Sequence, residues 1–268
     1  MANQYTKSKI NKNAVSDYIL KKGSLEEIGK NYNVSRKVMT RWVRQSGYDI
    51  YPKKQLDYHD HLFEIIDSEE KAYWLGFIFA DGYVSDRYDF EVSLSIKDIK
   101  HLEKLGKFMN KEVKTDSFRC RIGIVNKRLV KSLNKYGVVP RKSLILKFPD
   151  NLNSEMIPHF IRGYFDGDGC IYLGGNMTKT KSHAISLLGT LDMLQNIEKH
   201  FKTNVFYSHD ERHHKDCHSF RVTKTKDIVK ILDYMYKDSN IYLERKYKNY
   251  CRLRQKCLKL LGSNIGEG

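Results

Sequence analysis

Cysteine is scarce in this chain: five residues among 268, with no CxxC pair. Cys120, Cys170, Cys217, Cys251 and Cys257 are scattered, which argues against a disulfide framework and reads as reduced thiols in a cytosolic chain. No apolar run approaches the length of a bilayer span. The first stretch, "MANQYTKSKINKN", is polar and lacks the apolar core of a secretory leader. Acidic residues are also short, 32 against 48 Lys and Arg, leaving a net charge of +16 and a pI near 9.4. A globular chain this basic points to a polyanionic partner, nucleic acid before an anionic membrane or an acidic protein. Its 18 tyrosines, the commonest aromatic, suit a surface that meets nucleic acid. One mixed cluster, "HDERHHKDCH" at 209–218, includes His209, His213, His214, Cys217 and His218. Its spacing matches no usual zinc finger, and it reads better as a polar hairpin tip.

The punctuation of 14–45 predicts three short helices. Gly23-Ser24 ends one helix and caps the next, and Ser24 with Glu27 makes a capping box. Leu25 and Ile28 supply the inward face of the second helix. "NYNV" is a tight turn, and Ser35 caps a third helix running from Arg36 to about Gln45. Val38, Trp42 and Val43 are placed toward the core, with Arg36, Lys37, Thr40, Arg41 and Arg44 on the outer side. This resembles a helix-turn-helix whose third helix reads DNA. We assign 1–48 to this small all-α domain and 49–64, which contains Pro52, to an extended linker.

The remainder is duplicated. Asp81 and Asp168 stand 87 residues apart; "SLSIKDIKHL" (93–102) matches "SLLGTLDML" (186–194), where Asp98 and Thr190 are corresponding helix caps at offset 92. "NKRLVKSL" (126–133) matches "TKDIVKIL" (225–232) at offset 99, and "RKS" (141–143) matches "RKY" (245–247) at offset 104. The offset only grows, so the second copy carries loop insertions without reordering. Each copy reads α-β-β-α-β-β-α, an α+β unit with an antiparallel sheet, at 65–150 and 151–268. Along one strand Arg119, Arg121, Gly123 and Val125 share a face opposite Cys120, Ile122 and Ile124. One face can then pack helices and leave the basic face free.

Each copy opens with an apolar helix ending in Asp-Gly: "WLGFIFADG" (74–82) and "IRGYFDGDG" (161–169). Asp67 with Glu70 is expected to cap the first, and Pro158 suits the first turn of the second. Gly76 and Ala80, and Gly163 and Gly167, lie at i and i+4, a spacing of small residues that lets two helix backbones approach closely. If the copies pair about a pseudo-dyad, Asp81 and Asp168 emerge side by side, each before a turn glycine (Gly82, Gly169). Paired carboxylates at helix C-termini repel each other and the helix dipoles, and a divalent cation relieves that.

These two stretches, in order and with "RKS" and "RKY" in place, resemble the paired motifs of a single-chain LAGLIDADG homing endonuclease over about 65–265. The resemblance implies two pseudo-symmetric αββαββα repeats whose antiparallel sheets form a saddle on the major groove. It implies cutting of both strands across the minor groove, leaving 3′ overhangs. Asp81 and Asp168 would bind the catalytic metal, Mg²⁺ or Mn²⁺ with Ca²⁺ as a non-catalytic substitute, assisted by the carbonyls of Ala80 and Gly167. Lys142 and Lys246 would stabilise charge on the cleaved phosphate. The first acidic position of the motif is Phe79 in copy one and Asp166 in copy two; Asp166 is expected to face solvent or a backbone donor, not metal.

The expected partner is duplex DNA with a long, near-asymmetric site, bound by a monomer. Arg87, Arg119, Arg121, Lys179, Lys181, Arg212, Arg221 and Lys224 are candidate contacts from the strands and loops of the saddle. A non-cleaving regulator of this build typically loses the acidic pair, which this chain keeps; an RNA maturase is the other alternative. No intein ends are expected. The chain reads as a free-standing, cytoplasmic enzyme, encoded in an intron or a phage genome.

Overall fold

The structure, a computed structural model, describes residues 9–20, 22–48, 50, 58–174, 183–201, 203, 206–209 and 217–263. Its contacts divide the chain into two compact units, 1–56 and 57–268.

The first unit is α1 (Lys12–Ile19), α2 (Leu25–Asn31) and α3 (Arg36–Gln45). Its start signals act locally: Asn11 Oδ1 accepts from the backbone N–H of Asn13 and Ala14, the Ser24–Glu27 capping box is complete, and Ser35 accepts from Val38 N. Ala14, Val15, Tyr18, Leu25, Ile28, Met39, Trp42 and Val43 form its core. Val38 is only half-buried; Met39 takes the inward place expected for it. The helical turn rotates 39, 42 and 43 onto one stripe and leaves 38 at its edge. Gly23 does not end α1, which stops at Ile19; it lies in the connection. Asn33 adopts φ +55 at the α2–α3 turn. Gly29 is required beside it, because a Cβ there would lie 2.7 Å from Val34 O.

The second unit holds the duplication. Its first copy is α4 (Glu69–Asp81), β1 (Gly82–Val84), β2 (Asp89–Ser95), α5 (Ile99–Met109), β3 (Lys114–Thr115), β4 (Arg119–Val125) and α6 (Lys127–Asn134). Its second is α7 (Ile157–Asp168), β5 (Gly169–Tyr172), β6 (Ala184–Gly189), α8 (Leu191–Phe201), β7 (Phe206–His209), β8 (His218–Val222) and α9 (Thr225–Tyr236), followed by α10 (Glu244–Ser263). The sheets are antiparallel and ordered alike, β1-β2-β4-β3 and β5-β6-β8-β7. β4 alternates strictly, with Cys120, Ile122 and Ile124 buried and Arg119, Arg121, Gly123 and Val125 exposed. A single apolar cluster fills both copies, from Trp74 and Ile122 to Phe220 and Leu253. Among the described residues no helix is long and apolar enough to cross a membrane.

Several local expectations change. Ser68, not Asp67, caps α4 by accepting from Lys71 N; Asp67 instead pairs with Lys71 at 2.8 Å. Thr190 caps α8 through Met193 N, but Asp98 makes no side-chain cap and binds Arg245 Nε at 3.3 Å. Gly82 and Gly169 are not turn residues: both have extended backbones and pass directly into strands. Their smallness is still needed, since a Cβ would lie 2.5 Å from Ile78 O or Phe165 O. Part of the segment expected as linker is built into the first copy. Phe63 is fully buried, His59 N donates to Met109 O at 2.7 Å, and Arg128 binds both Asp60 and Glu64.

Candidate active site

α4 and α7 cross along their small residues. A Cβ on Gly76 would stand 2.0 Å from Phe160 O, and one on Gly163 1.9 Å from Tyr73 O. No side chain fits at either place. Farther along, a Cβ on Gly167 would lie 2.2 Å from the Ala80 Cβ and 3.2 Å from Asp81 Oδ2. The crossing therefore lays the Asp81 carboxylate over the last turn of α7, which ends in Asp168. Asp81 is exposed and Asp168 half-buried.

Two lysines close over this junction. Lys142 sits on a short 3-10 turn after Arg141, whose φ of +58 turns the chain back toward α4. Its Nζ donates to Ala80 O at 3.1 Å. Lys246, in the first turn of α10, donates to Phe165 O at 2.6 Å, Asp166 O at 2.7 Å and Gly167 O at 3.3 Å. Both are buried, 6% and 3% exposed, so these are held ammonium groups and not surface lysines. Each sits on the negative end of its own repeat's helix dipole. The carbonyls of Ala80 and Gly167, expected to face a metal, already accept from these lysines, each retaining a second lone pair.

The charges are strongly coupled. Burial and the neighbouring Asp81 charge raise the Asp168 carboxyl to about 6, against the pull of Lys142 and Lys246. Asp81 is raised as well, by desolvation among the protein atoms around it, with Lys246 and Lys142 opposing. Burial lowers Lys246 to about 8 although Asp166, Asp81 and Asp168 favour its charge, and lowers Lys142 too. The lysines oppose the carboxylate repulsion without removing it.

Asp166 does not face solvent. It is 1% exposed and accepts from Tyr73 OH at 2.7 Å, Tyr236 OH at 2.5 Å and Leu243 N at 2.7 Å. One carboxylate thus ties α7 to α4, to α9 and to the residue just before α10, whose first turn carries Lys246. The backbone donor was foreseen and the tyrosines were not. His101 Nε2 lies 3.0 Å from Tyr73 OH, which already donates to Asp166, so His101 donates here. Burial holds its pKa down to about 3, keeping it neutral. Arg162 is buried beside this network and donates to Ile241 O, Met235 O and Glu69. No spacing in the sequence signals these partners, because they lie 70 or more residues from Asp166 and Arg162. In copy one the equivalent place is filled by Phe79, edge-on to Phe160.

The basic candidates are on the surface. Arg119, Arg121 and Arg221 are exposed on β4 and β8, Arg87 on the β1–β2 turn and Lys224 before α9. On α3, Arg36, Lys37, Arg41 and Arg44 are exposed and Thr40 half-buried. Lys179, Lys181 and Arg212 lie outside the described residues, as do 210–216 of the histidine-rich cluster. Among the described residues no three His, Cys, Asp or Glu side chains are grouped to hold a metal. The donors at the helix junction are two carboxylates and backbone carbonyls, an all-oxygen set that suits Mg²⁺ completed by waters and phosphate.

No protein-family profile matches the chain, and no curated protein matches it. Solved structures do. The meganuclease I-SmaMI bound to uncleavable DNA superposes with a TM-score of 0.51 at 16% identity, covering 72% of this chain and 92% of that one. The I-SmaMI LAGLIDADG homing endonuclease bound to cleaved DNA gives 0.50 at 17%, covering 74% and 91%. A single-residue variant of I-SmaMI gives 0.52 at 17%, covering 74% and 92%. The molecule is an α+β protein with two antiparallel sheets and an N-terminal helical region. Its fold is that of the LAGLIDADG homing endonucleases.

Proposed function

We propose that this chain is a site-specific, divalent-metal-dependent endonuclease that cuts both strands of duplex DNA. The observation that carries the reading is the junction of α4 and α7. There Asp81 lies over the helix that ends in Asp168, with Lys142 and Lys246 held beside them. Asp81 and Asp168, helped by the Ala80 and Gly167 carbonyls, are the residues that would hold Mg²⁺. Bound there, the ion would supply activation of water and stabilisation of the leaving oxygen. Lys142 and Lys246 keep positive potential at the point where the cleaved phosphate develops charge. Because their Nζ atoms are engaged by helix carbonyls, they act in place and do not need to reach out. The exposed faces of the two sheets, with Arg119, Arg121 and Arg221, engage the major groove and its phosphates, while cutting spans the minor groove and leaves 3′ overhangs. The α1–α3 unit extends the site, with Arg36, Lys37, Thr40, Arg41 and Arg44 as its DNA side. The target is long and asymmetric, since the repeats differ, and the chain acts as a monomer. Incubation of the purified chain with a randomised duplex library in Mg²⁺ tests this. One dominant cut sequence with 3′ overhangs, absent in EDTA, is expected. A library left uncut would refute it.

A further inference from the structure

The two sheets carry a matched row of residues just beyond the aspartates. In copy one, Gly82 follows Asp81 and the next residue, Tyr83, pairs with Glu91, which pairs with Gly123. In copy two, Gly169 follows Asp168 and the next residue, Cys170, pairs with Ser186, which pairs with Arg221. The rows are equivalent by register, and both belong to the exposed sheet faces: Tyr83, Gly123, Cys170 and Arg221 are exposed, Glu91 and Ser186 half-buried. Their chemistry is opposite. Where copy two has Arg221, copy one has Gly123, and the Glu91 carboxylate leans into that space: its Oε2 lies 4.0 Å from where a Gly123 Cβ would be. The first row therefore presents a carboxylate, from its β2 position, where the second row presents a guanidinium, from its β8 position.

Among the described residues neither the Glu91 carboxylate nor the Arg221 guanidinium has a hydrogen-bond or ion-pair partner, although both backbones are paired in their sheets. Lys114, Arg119 and Arg121 surround the same face of the first sheet, so the surface is basic and fits a polyanion. A carboxylate on such a face is repelled by phosphate unless a base donor meets it. The major groove offers an isolated amino donor at cytosine N4. Adenine N6 stands beside the N7 acceptor, which disfavours a carboxylate. Arginine matches the paired O6 and N7 acceptors of guanine.

We propose that Glu91 and Arg221 are opposed specificity-determining residues: Glu91 accepts from cytosine N4 in one half-site, and Arg221 donates to guanine O6 and N7 at the equivalent position of the other. This rests on the reading of the chain as a DNA endonuclease. It has a geometric consequence. Dyad-related positions lie on opposite strands, so a cytosine read in one half and a guanine read in the other place the same base on one strand at equal distances from the centre. A palindrome would place complementary bases there. The target thus breaks its symmetry at this pair while keeping G·C in both halves.

Selection for binding in Ca²⁺ from a randomised duplex library, followed by sequencing, reads this without cutting. The parent is expected to select a G·C pair at both positions, in the non-palindromic sense, by roughly tenfold over other pairs. The double variant Glu91→Ser/Gly123→Arg gives the first copy the Ser186 and Arg221 side chains of the second copy's row and keeps Tyr83. It is expected to switch its half-site from cytosine to guanine on the read strand, making the pair palindromic and leaving the rest unchanged. Gly123 faces solvent with no atom nearer than Glu91 Oε2, so the arginine is accommodated, and circular dichroism confirms the fold. An A·T pair at these positions, a palindromic G·C pair in the parent, no preference, or no switch in the variant overturns the proposal. Cutting of the selected duplex in Mg²⁺ is a separate assay. A selected site with this pattern that remains uncut overturns the endonuclease reading and leaves the base assignment standing.

Discussion

Gly163→Ala isolates the packing that brings the aspartates together. The added methyl would stand 1.9 Å from Tyr73 O and 2.8 Å from Phe77 N, both backbone atoms of a buried helix. Carbon and carbonyl oxygen approach to about 3.3 Å at closest, so α4 and α7 must part or slide by about 1.4 Å at this point. Alanine improves helix propensity by about 1 kcal/mol. Overpacking costs about 1–3 kcal/mol where side chains can yield, and more where only backbone can. The net expectation is a loss of about 2 kcal/mol or more, a fall of roughly 4–8 °C in Tm for a unit of this size. A shift near 1 Å at the junction would also slow cleavage by about a hundredfold. Thermal and urea unfolding monitored by circular dichroism measure the first effect. Gly123→Ala, whose methyl meets only Glu91 Oε2 at 4.0 Å, is the control and should be near neutral. If Gly163→Ala unfolds with the parent, or no differently from the control, the close-crossing argument fails.

Three other perturbations have defined outcomes. The folded pKa of Asp168 is raised to about 6, so its protonated form favours the fold; that contribution is full below about 4 and is lost as pH rises through about 6. In EDTA, Asp168→Asn should therefore exceed the parent in stability at pH 7.5 by on the order of 1–2 kcal/mol, shrinking toward nothing at pH 4; a pH-independent difference in urea midpoints would contradict this. Asp166→Leu leaves Tyr73 OH, Tyr236 OH and Leu243 N without their buried acceptor and should cost about 3 kcal/mol or more, whereas an unchanged urea midpoint would show the network to be dispensable. Deleting residues 1–56 should leave cleavage intact, shorten the DNA footprint and flatten the salt dependence of binding by about 0.9 for each phosphate no longer neutralised; an unchanged footprint would make the helical unit structural only.

What was legible in the sequence was what repeats or alternates. Strict alternation in β4 fixed its faces, the Ser24–Glu27 box fixed the start of α2, and comparison of "WLGFIFADG" with "IRGYFDGDG" set Asp81 and Asp168 at equivalent helix ends. What was not legible depends on contacts between distant residues. Asp166 looked like a spare acid because nothing near it in sequence announces Tyr73, Tyr236 or Leu243. The lysines were matched as a repeat, but their seats on helix carbonyls follow from how a 3-10 turn and α10 are laid against α4 and α7. Local rules also compete: Asp67 and Ser68 are both good caps, α4 starts at Glu69 so that Ser68 takes the cap, and Asp67 pairs with Lys71 instead.

The central claim is that Asp81 and Asp168 form one metal-dependent nuclease site. Strand-resolved cleavage of the selected duplex in Mg²⁺ by the parent, Asp81→Asn and Asp168→Asn, with binding measured in parallel in Ca²⁺, tests it most directly. Both variants should bind within a few fold of the parent and leave the duplex uncut where the parent cuts to completion. Cleavage by either variant at the parent's rate would contradict the account.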